Sequence, residues 1–242
     1  MAEFLLVHGA WHGAWCWDEV AGALRDRGHV VRSIELPGHD RPGDRTRKWN
    51  RVAGYVEAIA AGVAGCDVPP ILVGHSMGGY VVQRYLENAT VRAAVLVASV
   101  PRNGTLVPHL RAIRRHPGPA LGALGLLDFY RLIGSVELTR DLFFRPETPD
   151  EVVQTTFDRL QGESALAIAS MTIRRVRPSR VKSPVSVVAG SRDQIFTVAE
   201  QSRLADVYNA SIEVLDGGHD LMLDTCWPEL VGTLNRVALP GS

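Results

Sequence analysis

The sequence contains one pattern that places a nucleophile in a defined setting, Gly74-His75-Ser76-Met77-Gly78, of the form Gly-x-Ser-x-Gly. It follows the apolar run Ile71-Leu72-Val73 and precedes a helical pattern, which is the strand–turn–helix context that the motif needs. Small residues beside the serine allow neighbouring backbones to approach closely in a sharp turn. The following helix also directs its free N–H groups toward the serine. We therefore predict that Ser76 is a nucleophile.

A serine hydroxyl becomes reactive only when a base takes its proton and an acid orients that base. In an α/β sheet these partners come from loops at the carboxyl ends of later strands, in the chain order serine, acid, histidine. Asp193 follows the apolar run 185–189, and His219 follows the run 212–215. This order favours a Ser76–His219–Asp193 triad over the simpler interpretations, a helix cap for Asp193 and a polar loop residue for His219.

Other acids near the histidine fit the orienting role less well. Asp216 and Asp220 flank His219 in the sequence. A sequence neighbour rarely reaches the far nitrogen of an imidazole ring whose near nitrogen faces the serine. Glu200 lies inside a helical pattern. Asp193 is therefore the predicted acid.

Acyl transfer also needs N–H donors for the tetrahedral oxyanion. One donor is the amide after the nucleophile, here that of Met77, and the second normally comes from a loop after an early strand. The loop His8-Gly9-Ala10-Trp11 follows the apolar run 4–7, and its best candidate donor is the Ala10 N–H. We interpret His8 as a buried residue that braces this loop rather than as a proton-transfer group.

The elements that must position these residues are apolar strands that alternate with helices. Strands are predicted at residues 4–7, 30–34, 71–73, 93–98, 185–189 and 212–215. Helical patterns begin near Asp18, and others contain the apolar positions 55–63 and 81–86 or cover 198–208 and 228–237. This alternation is typical of an α/β fold with a mostly parallel sheet and helices on both faces.

Residues 101–178 interrupt the alternation, and we call them the insertion. Helical stretches are predicted within it at 106–115, 120–133, 151–160 and 164–176, without a convincing strand. We expect a catalytic core formed by residues 1–100 and 179–242, with the insertion as a helical lid over the carboxyl edge of the sheet. The alternative is a set of ordinary crossover helices.

The composition argues against several classes of protein. The 242 residues are 46% hydrophobic and carry 26 basic and 26 acidic side chains, for a formal net charge of +0. This balance argues against a nucleic-acid partner, and no apolar run approaches the roughly 18 residues that span a bilayer. The first residues do not resemble a signal peptide, so we expect a cytoplasmic protein without a membrane partner. Cys16, Cys66 and Cys226 are too far apart for a Cys-x-x-Cys site, and we expect free thiols and no metal site.

Four sequence blocks resemble the α/β-hydrolase superfamily, and in particular plant methylesterases, hydroxynitrile lyases and their bacterial esterase relatives. The blocks lie at residues 6–17, 73–79, 192–196 and 217–223, and they read LVHGAWHGAWCW, VGHSMGG, RDQIF and GGHDLML. The resemblance implies the triad Ser76, His219 and Asp193, oxyanion donors at Ala10 and Met77, and no cofactor.

Two departures separate this chain from the hydroxynitrile lyases of the group. Those enzymes have a threonine in the first loop, where this chain has Gly9, and a lysine after the catalytic histidine, where it has Asp220. The lysine stabilises a leaving cyanide, which an aspartate would repel. Esterase members carry the glycine, so the resemblance implies an esterase.

Substrate selection is expected to lie in the insertion and in the loops that face the serine. We predict Trp11 and His12 as substrate contacts, with Trp15 as a further candidate. Ten residues of the insertion could provide an apolar ceiling, although packing of the insertion onto the core is the favoured role for most of them: Leu121, Leu124, Leu126, Leu127, Phe129, Tyr130, Leu142, Phe143, Phe144 and Phe157. Basic clusters at 111–116 and 174–182 indicate either solvated faces or a rim that attracts a remote carboxylate.

The expected function is a serine carboxylic-ester hydrolase that acts on a small or medium, largely apolar ester through an acyl-enzyme. Two alternatives remain open. One is non-hydrolytic lyase or cyclase chemistry on the same triad, and the other is a small-molecule receptor that retains the triad as a ligand cradle. The expected partner is a small-molecule ester, and the protein is expected to be a monomer or a homodimer.

Overall fold

A single parallel sheet lies at the centre of the computed structural model, which describes residues 1–46 and 48–239. Its six strands within those residues are β1 (Glu3–Val7), β2 (Val30–Ile34), β3 (Ile71–His75), β4 (Ala93–Val97), β5 (Val185–Gly190) and β6 (Ser211–Leu215). The strand order is β2-β1-β3-β4-β5-β6, and every neighbouring pair is parallel. The predicted α/β class and mostly parallel sheet are confirmed.

Burial explains why the central strands are almost entirely apolar. β1 and β3 are buried at every position, whereas the edge strands β2 and β6 are partly exposed. A strand that is covered on both faces has no solvent side and therefore no polar alternation. Because all strands are parallel, the loops after β1, β3, β5 and β6 emerge at the same edge of the sheet. This edge carries all the predicted site residues.

Helices cover both faces of the sheet. They are α1 (Asp18–Asp26), α2 (Val52–Ala64), α3 (Met77–Leu86), α9 (Val198–Tyr208) and α10 (Trp227–Val237). One buried apolar cluster includes Leu24 of α1 and Leu234 of α10, and the other includes Ile59 of α2, Val81 of α3 and Leu204 of α9. The two clusters lie on opposite faces of the sheet because neighbouring side chains of β1 and β3 point alternately into them.

Five helices connect β4 to β5. They are α4 (Leu106–Arg115), α5 (Pro117–Leu126), α6 (Val136–Phe143), α7 (Asp150–Arg159) and α8 (Ala165–Ile173). The continuous helix expected at 120–133 is wrong, because the chain leaves α5 at Leu127 in a left-handed conformation (φ 51°) and continues in a short 3₁₀ turn. The sequence interpretation also missed α6, whose N-terminus is capped by the Ser135 hydroxyl, which accepts a hydrogen bond from the Leu138 N–H.

No helix among the described residues is both long enough and apolar enough to cross a membrane. The three cysteines are free thiols, as expected, and Cys16 and Cys226 are buried. Cys66 is only partly buried.

Candidate active site

Ser76 lies in the sharp turn between β3 and α3. Its backbone is strained, with φ 50° and ψ −115°, a conformation that non-glycine residues rarely adopt. The turn is fixed by main-chain bonds, since the Ser76 N–H donates to the Val97 carbonyl at 3.0 Å and its carbonyl accepts from the Val100 N–H at 3.2 Å. Gly78 is needed for this geometry, because a Cβ there would collide with the main-chain carbonyls of Val7 and His8.

His219 and Asp193 meet at the carboxyl ends of β6 and β5. The His219 Nδ1–H donates to Asp193 Oδ2 at 2.8 Å. The other carboxylate oxygen, Oδ1, accepts the N–H groups of Ile195 at 2.7 Å and Phe196 at 2.9 Å. Asp193 does not cap α9, because the Thr197 hydroxyl and Glu200 form the capping box of that helix. Asp193 is therefore held by its loop in an orientation that faces the histidine.

The serine and histidine loops contact each other through His75. The His75 Nε2–H donates to the His219 carbonyl at 3.1 Å, so the residue before Ser76 is tied to the backbone of His219. Within the part of the chain that the structure describes, neither the Ser76 hydroxyl nor His219 Nε2 has a hydrogen-bond partner. In serine hydrolases the hydrogen bond between the serine hydroxyl and the histidine often forms fully only when a substrate is bound.

The two predicted oxyanion donors lie on one cavity wall with the serine. Ala10, Met77 and Ser76 all line the same cavity. Neither the Ala10 N–H nor the Met77 N–H donates to another described residue. Met77 is the first residue of α3, where the N–H groups have no partner within the helix. Two amides are thus available to a negatively charged oxygen beside Ser76.

The loop that carries Ala10 is fixed by residues of the insertion. Trp11 has a left-handed backbone (φ 64°); its N–H donates to Glu163 Oε2 at 3.3 Å, and its carbonyl accepts from the Gln161 N–H at 2.8 Å. Glu163 is fully buried and also accepts from His39 Nε2 at 3.0 Å and from the Tyr55 hydroxyl at 3.1 Å. Burial opposes the charged form of Glu163, but the nearby His39 outweighs this effect and lowers the pKa of Glu163.

The cavity beside Ser76 is mainly apolar. Of the ten insertion residues proposed as a ceiling, Phe129 and Leu142 line it, while Leu121, Leu124, Leu126 and Leu127 are exposed instead. Trp11, a predicted substrate contact, also lines the cavity. The wall further includes residues that the sequence interpretation did not select: Val100, Thr105, Pro108, His109, Leu132, Ile168, Met171, Ile195 and Phe196.

His12 does not line this cavity, contrary to its predicted role as a substrate contact. Its ring is 1% exposed; Nδ1 donates to the Ala10 carbonyl at 2.7 Å, and Nε2 lies 2.9 Å from Asp220 Oδ2. Both ring nitrogens are therefore occupied by protein groups. His8 is also buried, and it donates from Nδ1 to the Gly9 carbonyl at 2.8 Å and accepts the Leu36 N–H at 3.1 Å, which agrees with the bracing role expected for it.

Two arginines of the first basic cluster line the cavity, but both are paired. Arg111 Nη2 lies 3.0 and 3.1 Å from the carboxylate oxygens of Glu200. Arg115 pairs with Asp141 and Gln194. The charge of each guanidinium that reaches the cavity is therefore balanced by a nearby carboxylate.

The two positions that distinguish this chain from hydroxynitrile lyases lie beside the serine and the histidine. A Cβ on Gly9 would lie 2.7 Å from His75 Nδ1 and 3.1 Å from Ser76 Cβ, so the loop packs too closely for a threonine. Asp220 is completely buried and pairs with His12. This position therefore offers no cation to an anionic leaving group, where the lyases have a lysine.

Three potential metal-ligating groups come together among the described residues, namely those of His75, His219 and Asp220. One donor atom of each residue is already in use, because His75 Nε2 donates to a carbonyl, His219 Nδ1 donates to Asp193, and Asp220 Oδ2 binds His12. We interpret the cluster as a charge network around the histidine rather than as a metal site.

The sequence interpretation missed the roles of Asp220 and Glu163. Asp220 was set aside because it adjoins His219, although its partner is a residue 208 positions away, His12. Both acids lie in short polar segments, Gly217-Gly218-His219-Asp220 and Gln161-Gly162-Glu163-Ser164. A polar segment of this kind can indicate a buried carboxylate. Its partner cannot be identified from the sequence, because that requires knowing which loops lie next to each other.

Comparison with known proteins agrees with this architecture. The family model described as "Alpha/beta hydrolase family" matches residues 4–231. Methyl jasmonate esterase 1 of Vitis vinifera is 40% identical over 99 residues, which cover 39% of this chain and 37% of that protein. The carbendazim hydrolyzing esterase of Nocardioides sp. (strain SG-4G) is 40% identical over 114 residues, or 43% of this chain and 45% of that protein.

A third relative is named as a synthase and not as an esterase. Norfluorocurarine synthase 1 of Strychnos sp is 38% identical over 106 residues, which cover 40% of this chain and 38% of that protein. The matched region thus spans less than half the length of each of these curated relatives.

Structural similarity to solved proteins extends over a longer part of the chain than the sequence matches do. The crystal structure of polyneuridine aldehyde esterase superposes with a TM-score of 0.74 at 16% identity, covering 99% of this chain and 100% of that one. The matched family model covers nearly the whole sheet, including the serine and histidine loops. The chain therefore belongs to the alpha/beta hydrolase family.

Proposed function

We propose that this protein is a serine carboxylic-ester hydrolase with the triad Ser76, His219 and Asp193. The observation that carries the proposal is the 2.8 Å bond from His219 Nδ1 to Asp193, which leaves Nε2 available to the serine. Two amides without partners, those of Ala10 and Met77, share a cavity wall with Ser76. The similarity to proteins named as esterases supports the same conclusion.

The reaction follows from these positions. His219 Nε2 takes the proton of the Ser76 hydroxyl as Oγ attacks the acyl carbon, and Asp193 stabilises the imidazolium that forms. The Ala10 and Met77 amides bind the oxyanion. His219 then returns the proton to the leaving alcohol, and a water molecule, activated in the same way, releases the acyl group.

The cavity favours a small or medium, largely apolar ester. Its wall is dominated by aliphatic and aromatic side chains, among them Phe129, Leu142 and Met171. The arginines that reach it are balanced by Glu200 and Asp141, so a remote carboxylate on the substrate would gain little. Because Phe129, Leu142 and Met171 belong to the segment 101–178, we keep the proposal that the insertion acts as a lid and selects the substrate.

A panel of short-chain aryl esters tests the function directly. We expect the wild-type protein to release one acid and one alcohol per turnover and to react covalently with a fluorophosphonate probe. Release of product without a free acid would instead indicate lyase or cyclase chemistry. Absence of both turnover and labelling would favour a receptor.

The pH dependence of the reaction should report His219. Burial alone would lower the pKa of this imidazole, but the charge of Asp193 and its hydrogen bond, together with the charge of Asp220, outweigh burial and raise the pKa above 6.5. The base must be neutral to accept the serine proton, so we expect kcat/KM to rise with pH and to reach half of its maximum above pH 6.5. A profile that is flat from pH 5 to 8 would contradict the role of His219.

The second candidate function is non-hydrolytic chemistry on the same triad. It is favoured by one observation, the 38% identity to a protein named Norfluorocurarine synthase 1 over 106 residues. Gly9, whose position leaves no room for a threonine, and the buried Asp220 argue against a cyanide-releasing reaction in particular. Product analysis separates the two functions, because only hydrolysis consumes water to form an acid.

A further inference from the structure

A buried hydrogen bond between His12 and Asp220 joins two loops of the proposed active site. His12 lies in the loop after β1, which carries Ala10, and Asp220 lies in the loop after β6, directly after His219. Three strands separate β1 from β6 in the sheet. The side chains nevertheless meet, with His12 Nε2 2.9 Å from Asp220 Oδ2, and they are 1% and 0% exposed.

The hydrogen bonds define where the protons lie. The Ala10 carbonyl can only accept, so His12 Nδ1, at 2.7 Å, must carry a proton. Nε2 faces Asp220 Oδ2 at 2.9 Å, and an ionised carboxylate oxygen can only accept, so this contact is a hydrogen bond from the Nε2–H. Burial opposes the charged form of Asp220, but His12 outweighs it and holds the pKa of Asp220 below its usual value. The contact is therefore a buried hydrogen bond between the His12 ring and the ionised carboxylate of Asp220.

The pair connects the loop of the Ala10 amide to the loop of the His219 imidazole, two groups that must act on the same substrate. His12 holds the carbonyl of Ala10, the same residue whose N–H is proposed to bind the oxyanion. Asp220 is fixed at its backbone too, because its N–H donates to the Phe143 carbonyl at 3.0 Å. An acyl-transfer site is sensitive to such placement, since an error of about 1 Å can cost about 100-fold in rate.

Asp220 also contributes charge near the base. Two carboxylates act on His219, that of Asp193 from the loop after β5 and that of Asp220 from its own loop. His75, at the end of β3, is the third titratable group facing the ring; burial, followed by the charge of His219, keeps the pKa of His75 well below 6.5. His75 is therefore neutral, with its Nε2 3.5 Å from Asp220 Oδ1.

The charge of Asp220 also acts on the Cys16 thiol. Burial, and then the charge of Asp220, raise the pKa of this thiol well above its ordinary value, so it stays protonated. The charges that act on His219 are thus the carboxylates of Asp193 and Asp220.

We propose that His12 and Asp220 are positioning residues, which hold the oxyanion loop against the histidine loop and tune the basicity of His219. This inference rests on the proposed esterase function and deepens it. Neither residue touches the cavity, so both act through Ala10 and His219.

The Asp220→Asn variant separates this role from simple structural support. Asparagine keeps the shape but removes the charge. We expect kcat to fall by about 10- to 100-fold with little change in KM. We also expect the acid limb of the kcat/KM profile to move to lower pH by at least about half a unit, because a charge that raises the pKa of His219 is lost.

Asp224→Asn is the matched control. Asp224 is buried in the same segment; it accepts the Gly218 N–H at 2.9 Å and the Thr148 hydroxyl at 2.8 Å, and it is not among the charges that act on His219. This variant should lower the melting temperature and leave the midpoint of the pH profile unchanged.

The double variant His12→Gln/Asp220→Asn keeps the proposal testable if the single variant does not fold, because it leaves no unpaired buried charge. Its loss of kcat should not exceed that of the worse single variant, since residues that act as one unit are not additive. Additive losses, or an unchanged pH midpoint in variants that lack Asp220, would overturn the proposal. Failure of the wild-type protein to hydrolyse esters or to react with the fluorophosphonate would instead overturn the esterase function.

Discussion

Replacement of Ser76 by alanine should lower kcat on aryl esters by about 10⁴-fold or more, the range found when the nucleophile of a triad is removed. The reason is that no other group in the cavity can form the acyl-enzyme at this position. The fold should persist, because the Ser76 hydroxyl donates to no described residue and the main-chain bonds to Val97 and Val100 do not involve the side chain. Alanine also keeps the Cβ that the strained turn already accommodates.

Steady-state kinetics and fluorophosphonate labelling measure this effect together. Ser99→Ala is the matched control, because Ser99 is a buried serine whose hydroxyl is bonded to Gln83 at 3.0 Å and does not line the cavity. It should retain labelling and a kcat within a few-fold of the wild type. A Ser76→Ala protein that kept a tenth of the activity would show that Ser76 is not the nucleophile.

Sequence reasoning was sufficient for the sheet and for the residues that follow its strands. The strands β1, β3 and β4 are almost entirely apolar, and Ser76, Asp193 and His219 follow β3, β5 and β6, whose carboxyl ends lie at one edge because the sheet is parallel. Both the alternation of apolar strands with helices and the order of residues along the chain can be read from the sequence without knowing how the chain packs.

The buried charge network could not be obtained in the same way. His12 was expected at the substrate because it lies next to Ala10, but the structure directs its ring to Asp220, which arrives from the far side of the sheet. Glu163 likewise reaches Trp11 from the insertion, across 152 positions of sequence. Such pairs depend on how loops pack over the sheet, and their residue types alone do not distinguish a buried ion pair from an exposed one.

Asp193→Asn should reduce kcat by about 10⁴-fold through a change of tautomer. The carboxylate oxygen Oδ1 already accepts the N–H groups of Ile195 and Phe196. An asparagine must place its own oxygen there, because its amide nitrogen can only donate. The –NH₂ group is then directed at His219, which must accept through Nδ1 and carry its single proton on Nε2. An imidazole in that state cannot take the proton of Ser76.

This mechanism makes the loss distinguishable from a general weakening of the loop. Because the wrong nitrogen is protonated in the neutral ring, kcat of Asp193→Asn should stay low at every pH from 5 to 9, whereas loss of the Asp193 charge alone would lower the pKa of His219 and move the acid limb to lower pH without abolishing the plateau. Asp216→Asn is the matched control: it lies three residues before His219, is exposed and pairs with Arg145 and Arg192. It should retain kcat within a few-fold. A variant that kept kcat within about tenfold of the wild type, with only its acid limb moved to lower pH, would show that Asp193 contributes charge but does not select the tautomer.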